Sequence, residues 1–558
     1  MRFLPFFLLL AIAASSQSFY TGADLSYTNE LEDCGTTYFE NDQPKDLFQI
    51  FADHNCNIAR FRLWHSPTWT NYSTLTDVKK SIGRAKAKGM KILLDFHYSD
   101  TWADPANQKI PAAWLNYPDL ATLGDSLYNY TYNTLNNLQA DNLLPDMVQT
   151  GNETNGNILC KVGEDLYPVD WTRNVTLFKR ATQAVRDFNT SNGTSVKIAI
   201  HIAGPENANW WFNSMKTNGF NDYDIIALSY YPNWYGADIH KVASIIKQLK
   251  QTFGKQIMIV ETACPWTFAG DDNFSNIQYK ENLLKCYGSA PSPEKQLQYL
   301  TNLTWLVKDV GGSGVIYWEP GWVSSSCQTP WGLGSSWENS TFFDFNNKLH
   351  QGIDFLTYDY SIKPPELEPV NIHLKLAMQN TDTTNGVYVT GDFTGVNWSF
   401  KRMKHIGNKI FEISMLTPGM GTGAFIFQNK ADWSTSSREN VPSACALFWD
   451  THREYVIKQA DTNINCLWSS CSYLGINDLQ NNTTKIIHWK VTDSQLEVFT
   501  KEAIQSASIF DLNGKQLHHS ASINSCQFKL PIAQLGHGIY LLRLITRLQT
   551  TQTTKIVL

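Results

Sequence analysis

From residue 19 to about 355 the chain alternates short β-branched or apolar runs with longer stretches in which apolar residues recur at i, i+3 and i+4. Eight of the short runs read as strands: FYTGADLSY (19–27), IARFRLW (58–64), KILLDFHY (91–98), DMVQTGNE (146–153), VKIAIHIA (196–203), DIIALSYYP (224–232), QIMIVETAC (256–264) and GVIYWEPGW (314–322). Between them lie amphipathic patterns such as TDVKKSIGRAKAKG (76–89) and HKVASIIKQLKQTFG (240–254), with Lys and Arg on one face. Eight strand and helix units in about 340 residues predict an α/β fold, a (β/α)8 TIM barrel with some long loops. A doubly wound sheet competes, but no G-x-G-x-x-G follows the first strand.

After a Pro-rich connection, IKPPELEP (362–369), the pattern changes to short alternating strands: NIHLKLAM, GVYVTGDF, KIFEISML and GAFIFQN. They predict an all-β sandwich over 361–471. From 472 to 558 the alternation resumes in LEVFT, ASIFDLNGKQL, GIYLLRL and TKIVL, which predicts a second small all-β domain. The first 18 residues, MRFLPFFLLLAIAASSQS, place a charge ahead of an apolar stretch that ends in small residues, the build of a signal peptide. No later run of 18 or more apolar residues occurs, so the mature chain is expected to be exported and soluble, with its barrel over 19–360.

Composition narrows the partners. A net charge of -6 without any basic block argues against nucleic acid. Aromatics make up 13% of the chain, with 19 Trp, many beside Asn, Pro and Gly as in loops, and the C–H face of a sugar ring packs on such planes. A single Trp serves a core equally well. Ten Cys permit disulfides in an oxidising compartment without fixing a pairing, and no C-x-x-C suggests a zinc site. Sequons at Asn129 and Asn174 arise by chance in an Asn-rich chain. Asp95, Asp100 and Asp104, and the run GDDN (270–273), form no clear calcium loop. No metal or cofactor is expected.

Each strand ends in a polar, aromatic-rich tail: RLWHSP, DFHYSDTWADP, TGNETNG, HIAGPENANWW, SYYPNWYG, ETACPWT and YWEPGW. In a barrel all of them gather on the face that carries active sites. Glycosidic cleavage needs two carboxyl groups, and Glu153 and Glu261 end the fourth and seventh strands, across the barrel mouth from one another. Glu206 and Glu319 meet the same criterion and rank lower. Arg60 and Arg62 share one face of the second strand, from which an Arg can pair with a strand-end carboxylate. Tyr230 and Tyr231 are adjacent, and alternation lets only one point inward. His97 and His201 end strands where a hydrogen bond to substrate or to a catalytic carboxylate is available.

GADLSYTNELED, RFRLWHSP, DFHYSDTWADP, TGNETNG, SYYPNW, VETACPW and YWEPGW together resemble glycoside hydrolase family 53, the endo-β-1,4-galactanases. The resemblance spans about residues 19–355 and implies a retaining enzyme of clan A acting on β-1,4-galactan, with Glu153 as acid/base and Glu261 as nucleophile. It implies that Asn152 binds the sugar 2-hydroxyl and that Trp318 forms the platform under the reacting sugar, with Trp102, Trp234 and Trp322 as further subsite candidates. With Glu261 as the nucleophile, one of Arg60 and Arg62 is expected to hold it ionised and Tyr230 or Tyr231 to donate its hydroxyl to it. The sandwich resembles carbohydrate-binding folds attached to polysaccharide-degrading enzymes, in which Trp398 and Trp433 either stack on sugar or fill the core. SIFDLNGKQL…LPIAQLGHGIYLLRL…TTKIVL resembles the sorting domain of the type IX secretion system, which implies the outer-membrane secretion machinery as a partner and a secreted or cell-surface location. A monomer is expected. The alternatives are another clan A endoglycanase, of mannanase or xylanase type, and a non-catalytic glycan-binding protein.

Overall fold

A computed structural model describes residues 19–278, 290–379, 381–394, 398–417, 419, 421–442, 445–446, 451–457, 460–471, 487–492, 495–511, 515–536, 538–546 and 551–557. The expected signal peptide, residues 1–18, lies outside them.

Strands β1 (Tyr20–Asp24), β2 (Ile58–Leu63), β3 (Lys91–Phe96), β4 (Met147–Thr150), β5 (Lys197–Ala203), β6 (Ile225–Ser229), β7 (Gln256–Glu261) and β8 (Gly314–Tyr317) form a closed barrel in chain order. All pairings are parallel, and β8 returns to β1 with Gly314 beside Tyr20. The two amphipathic segments form helices over Leu75–Ala87 and Ile239–Phe253. Thr74 caps the first through its hydroxyl, Asp238 caps the second, and Gly254 ends it at φ 65°, where a side chain would be strained.

Side-chain alternation sorts the barrel interior into layers. Ile58, Leu93, Met147, Ala199 and Ala227 fill an apolar layer with Met258 and Ile316. Two residues further along the same strands stand Arg60, Asp95, Gln149, His201 and Ser229, all buried, in a polar layer toward the C-terminal mouth. On β7 the alternation breaks: Ala227 pairs with Met258 and Leu228 with Ile259, but Ser229 pairs with Glu261. The extra residue, Val260, makes a bulge that turns Glu261 level with the inward Ser229. Unbroken alternation from Met258 would have aimed Glu261 at the outer helices. A disulfide between Cys34 and Cys327 ties the segment after β1 to the one after β8.

Beyond the barrel, β9 (Val370–Ala377), β10 (Tyr388–Gly391), β11 (Lys401–Arg402), β12 (Lys404–Gly407), β13 (Ile410–Thr417), β14 (Gly421–Gln428), β15 (Arg453–Ile457) and β16 (Thr462–Leu467) build two four-stranded sheets, ordered β12-β13-β9-β16 and β11-β10-β14-β15. Ile372, Leu374 and Phe411 from one sheet and Val389, Phe425 and Phe427 from the other share a core. A disulfide joins Cys445 to Cys471, and His240 Nε2 lies 2.8 Å from the Gly419 carbonyl, linking barrel and sandwich. A last sheet, β17 (Ile487–Thr492), β18 (Gln495–Phe510), β19 (Gln516–Pro531), β20 (Ile539–Thr546) and β21 (Thr551–Val557), has its own core around Leu496, Ile509 and Leu542. Among the described residues no helix is long and apolar enough to cross a membrane.

Candidate active site

The polar layer centres on Arg60. Its guanidinium donates to Asp24 Oδ2 (2.6 Å), Asp95 Oδ2 (2.9 Å), Gln149 Oε1 (2.7 Å) and Asn152 Oδ1 (2.8 Å), and lies 2.8 Å from Glu261 Oε1. Burying a cation unpaired costs several kcal/mol. Here burial disfavours the charge, but Asp95, Glu261 and Asp24 outweigh it and hold Arg60 firmly protonated. The planar fork meets acceptors on four strands and on the segment after β4, which a lysine could not do.

Glu261 is 5% exposed and, besides its ion pair with Arg60, receives a hydrogen bond on its other oxygen from Tyr231 Oη at 2.8 Å. Burial raises its carboxyl to about 7, while Arg60 and then the Tyr231 hydroxyl pull the other way. Glu153 is reached through a distorted strand end. Gly151 takes φ 112°, and a Cβ there would lie 2.6 Å from the Thr154 methyl carbon, while Glu153 itself sits at φ 45°. That twist carries Glu153 from the line of β4 into the mouth. Burial and then the Glu261 charge push its carboxyl well above the usual range, and a hydrogen bond from Ser229 opposes them. Both carboxyls are raised, and Glu261, which alone has Arg60 and Tyr231 against it, is the one that ionises first, the order that acid and nucleophile roles require.

The histidines stand behind this pair. His201 Nδ1 accepts from Gln149 Nε2 (3.0 Å) and from the Glu153 N–H (3.2 Å), against one acceptor neighbour, Asn152 Oδ1 at 2.9 Å. This balance places the proton on Nε2, which lies 2.9 Å from Ser229 Oγ. Burial, with Arg60 adding to it, keeps His201 neutral. His97 accepts from the Ala103 N–H on Nδ1 (3.1 Å) and pairs with Asp95 through Nε2 (3.0 Å).

Above the carboxyls opens a cleft of about 650 Å³ walled by Tyr27, Trp102, Trp234, Tyr235, Trp318, Trp322, Trp331 and Trp337. Trp318 packs edge-on against Trp337 (4.7 Å) and Trp322 (6.0 Å), so its ring is held from two sides.

Of the residues singled out from sequence, Glu153, Glu261, Asn152, Arg62, His97, Trp102, Tyr231, Trp318, Trp234 and Trp322 line this one cleft. Two do not. Tyr230 is fully buried, its hydroxyl engaged with the Gly236 carbonyl (2.8 Å) and the Tyr299 hydroxyl (2.9 Å), on the face of β6 opposite Tyr231. His201 is fully buried beneath Glu153 and does not line the cleft. His97 borders the cleft, but both its ring nitrogens are committed to protein. Arg62 is not the Glu261 partner: it pairs with Glu319 at 3.3 Å and lies over the Trp102 ring at 4.2 Å, whereas Arg60 reaches Glu261. Of the competing carboxyls, Glu319 is spent on Arg62 and the Tyr27 N–H, and Glu206 forms an exposed pair with Lys241. Sequence reasoning missed Ser229, Gln149, Tyr27, Trp331 and Trp337. The first two carried a signal, since Ser229 shares the parity of Tyr231 along its strand and Gln149 that of Glu153 along its own; Trp331 and Trp337 lie in a long irregular segment that has none.

A (β/α)8 barrel with two buried carboxyls facing an aromatic cleft at its C-terminal mouth defines a glycoside hydrolase. The comparisons narrow the class. Residues 20–356 match glycosyl hydrolase family 53, and the chain belongs to that family. An arabinogalactan endo-beta-1,4-galactanase from Cellvibrio japonicus is 49% identical, over 61% of this chain and 92% of its own length. An endo-beta-1,4-galactanase from Bacillus subtilis is 35% identical over 56% of this chain and 72% of its own. The solved family 53 catalytic domain from Ignisphaera aggregans superposes with a TM-score of 0.56 at 32% identity, covering 62% of this chain and 97% of that one. Residues 491–558 match a secretion system C-terminal sorting domain, which marks the chain for export to the cell surface.

Proposed function

We propose that the chain is a retaining endo-β-1,4-galactanase that cuts β-1,4-galactan in two displacements. Glu261 attacks the anomeric carbon as Glu153 gives its proton to the departing glycosidic oxygen, leaving a glycosyl ester on Glu261. A water then attacks that carbon, Glu153 takes its proton, and the ester bond breaks to release a β-configured sugar and a free Glu261 carboxylate. The observation that carries this reading is the asymmetry of the two carboxyls, with Arg60 and Tyr231 on Glu261 and neither on Glu153. Asn152 spends one amide N–H on the Ala103 carbonyl and keeps its second for the sugar 2-hydroxyl. Trp318 serves as the platform of the reacting sugar, with Trp102, Trp322 and Trp234 beside it. Galactan as substrate follows the named activities of the two relatives above.

The same reading divides the chain into a signal peptide (1–18), the catalytic barrel (19–360), a β-sandwich (361–471) and a sorting domain (472–558) handed to the type IX machinery, acting as a monomer. The test is reducing-sugar release from galactan, mannan and xylan with NMR of the first product anomer. Release from galactan with an initial β product is expected. An initial α product overturns the double displacement, preference for mannan or xylan overturns the substrate, and full activity in Glu261→Ala overturns the nucleophile.

A further inference from the structure

The sandwich carries an aromatic surface that its own core does not use. Trp398 and Trp433 both stand outside the buried cluster of Ile372, Leu374, Phe425 and Phe427, which excludes the core-filling role for either ring. Trp433 is 54% exposed, an expensive state for so large an apolar side chain. Its ring lies 5.0 Å from Phe400 and 6.4 Å from Trp398, tilted by 49° and 38°. The surface is built rather than accidental: Trp398 donates its indole N–H to Asp392 Oδ1 at 2.9 Å, and Asp392 Oδ2 accepts the Ala424 N–H at 2.7 Å, locking the ring to β14. His452 braces the same ring edge-on at 4.9 Å.

We propose that Trp398, Trp433 and Phe400 form a second glycan site, separate from the cleft, that takes a single neutral β-linked galactan chain. Three features choose that occupant. The charges flanking Trp433, Lys430 and Asp432, pair with each other at 2.8 Å, so neither stands as a lone charge beside that ring. The rings are tilted rather than coplanar, so they follow successive sugars of a twisted chain and do not match a flat crystalline face. A galactose unit, with its 4-hydroxyl axial, presents a continuous C–H patch on one side of the ring, and that patch stacks on indole. The site is tethered to a barrel that acts on glycan, so holding one stretch of chain raises the concentration of the next stretch at the cleft. The choice of galactan rests on the function proposed above.

Native electrophoresis through gels containing galactan tests it with full-length forms. In one form the cleft is disabled by Glu261→Gln with Trp318→Ala; a second adds Trp398→Ala and Trp433→Ala to these. The cleft-disabled form is expected to stay retarded by galactan, and the second form to bind about tenfold or more weakly. Trp433→Phe in place of Trp433→Ala is expected to restore retardation, because a ring remains to stack. An intact chain that hydrolyses galactan while its cleft-disabled form runs unretarded, or equally retarded with and without Trp398 and Trp433, overturns the second site alone. An intact chain that releases no sugar from galactan overturns the function reading instead.

Discussion

Tyr231 Oη meets Glu261 Oε2 at 2.8 Å while Arg60 Nη2 meets the opposite oxygen at the same distance, so the carboxylate is gripped from both sides. Tyr231 keeps its own proton throughout, since burial and then the Glu261 charge push its phenol well above the ordinary value. In the proposed double displacement such a fixed donor orients the carboxylate and stabilises its charge as the glycosyl ester breaks. Tyr231→Phe is expected to lower kcat on galactan about 100- to 1,000-fold, the cost of deleting one preorganised donor. Tyr230→Phe is the control: its hydroxyl bonds Gly236 and Tyr299 outside the cleft, so kcat should hold while stability drops by about 1 kcal/mol. Equal losses of kcat in the two would sink the assignment of Tyr231.

Arg60 and Arg62 share parity on β2 but differ by one layer, and the difference separates their roles. Arg60 is the group that opposes burial at Glu261. Arg60→Lys loses the fork and weakens that opposition, so Glu261 should titrate higher. The acidic limb of the kcat/KM profile is expected to move to higher pH, with kcat down at least about 100-fold. Arg62→Lys leaves the Glu261 partner in place and is expected to leave the acidic limb where it is; a limb shift there, or none in Arg60→Lys, contradicts the assignment.

The barrel and its mouth were legible because hydrophobic periodicity and polar strand tails are local signals, and each of the eight expected strands encloses an observed one. The choice between Tyr230 and Tyr231 was also within reach. Ala227 and Ser229 continue one face of β6, and Tyr231 is the next residue of that parity. The choice between Arg60 and Arg62 was not, because both point inward and only the depth of Glu261 decides. That depth depends on the bulge at Val260, and the Glu153 position depends on positive φ at Gly151 and Glu153, two departures from regular strand that period-2 patterning does not register. His201 misled because a histidine at a strand end looks the same whether its ring faces substrate or lies under the catalytic carboxyl.

The two raised carboxyls link activity and stability to pH in opposite ways. The proposed mechanism needs Glu261 ionised and Glu153 protonated, so kcat/KM should rise through the region near 7 set by Glu261 and fall again as Glu153 ionises. Stability follows the other sign. A carboxyl whose folded value exceeds its unfolded one binds more protons when folded, so its contribution is fully present below the ordinary glutamate value of 4.5 and is lost as pH rises through the folded value. Glu153→Gln, which carries no charge to bury, should therefore melt higher than the intact chain at pH 8, with the gap closing toward pH 4.5. A gap that widens as the pH falls would contradict the raised value.

Ser229 is the residue through which the buried His201 reaches the chemistry. Its hydroxyl takes the His201 Nε2 proton contact at 2.9 Å and donates to Glu153, an interaction that lowers the Glu153 carboxyl against burial and the Glu261 charge. A donor to the ionised form holds Glu153 low enough to act as a base in the second displacement, when it must take a proton from water. Removing that donor in Ser229→Ala should raise Glu153 further and move the basic limb of the kcat/KM profile to higher pH. The second displacement should slow more than the first, seen as a larger burst of leaving group with an activated aryl galactoside. Ser229→Thr, which keeps the hydroxyl, should restore the basic limb. A variant Ser229→Ala that loses rate uniformly across pH, with no limb shift and no change in the burst, would reduce Ser229 to a packing residue of the barrel.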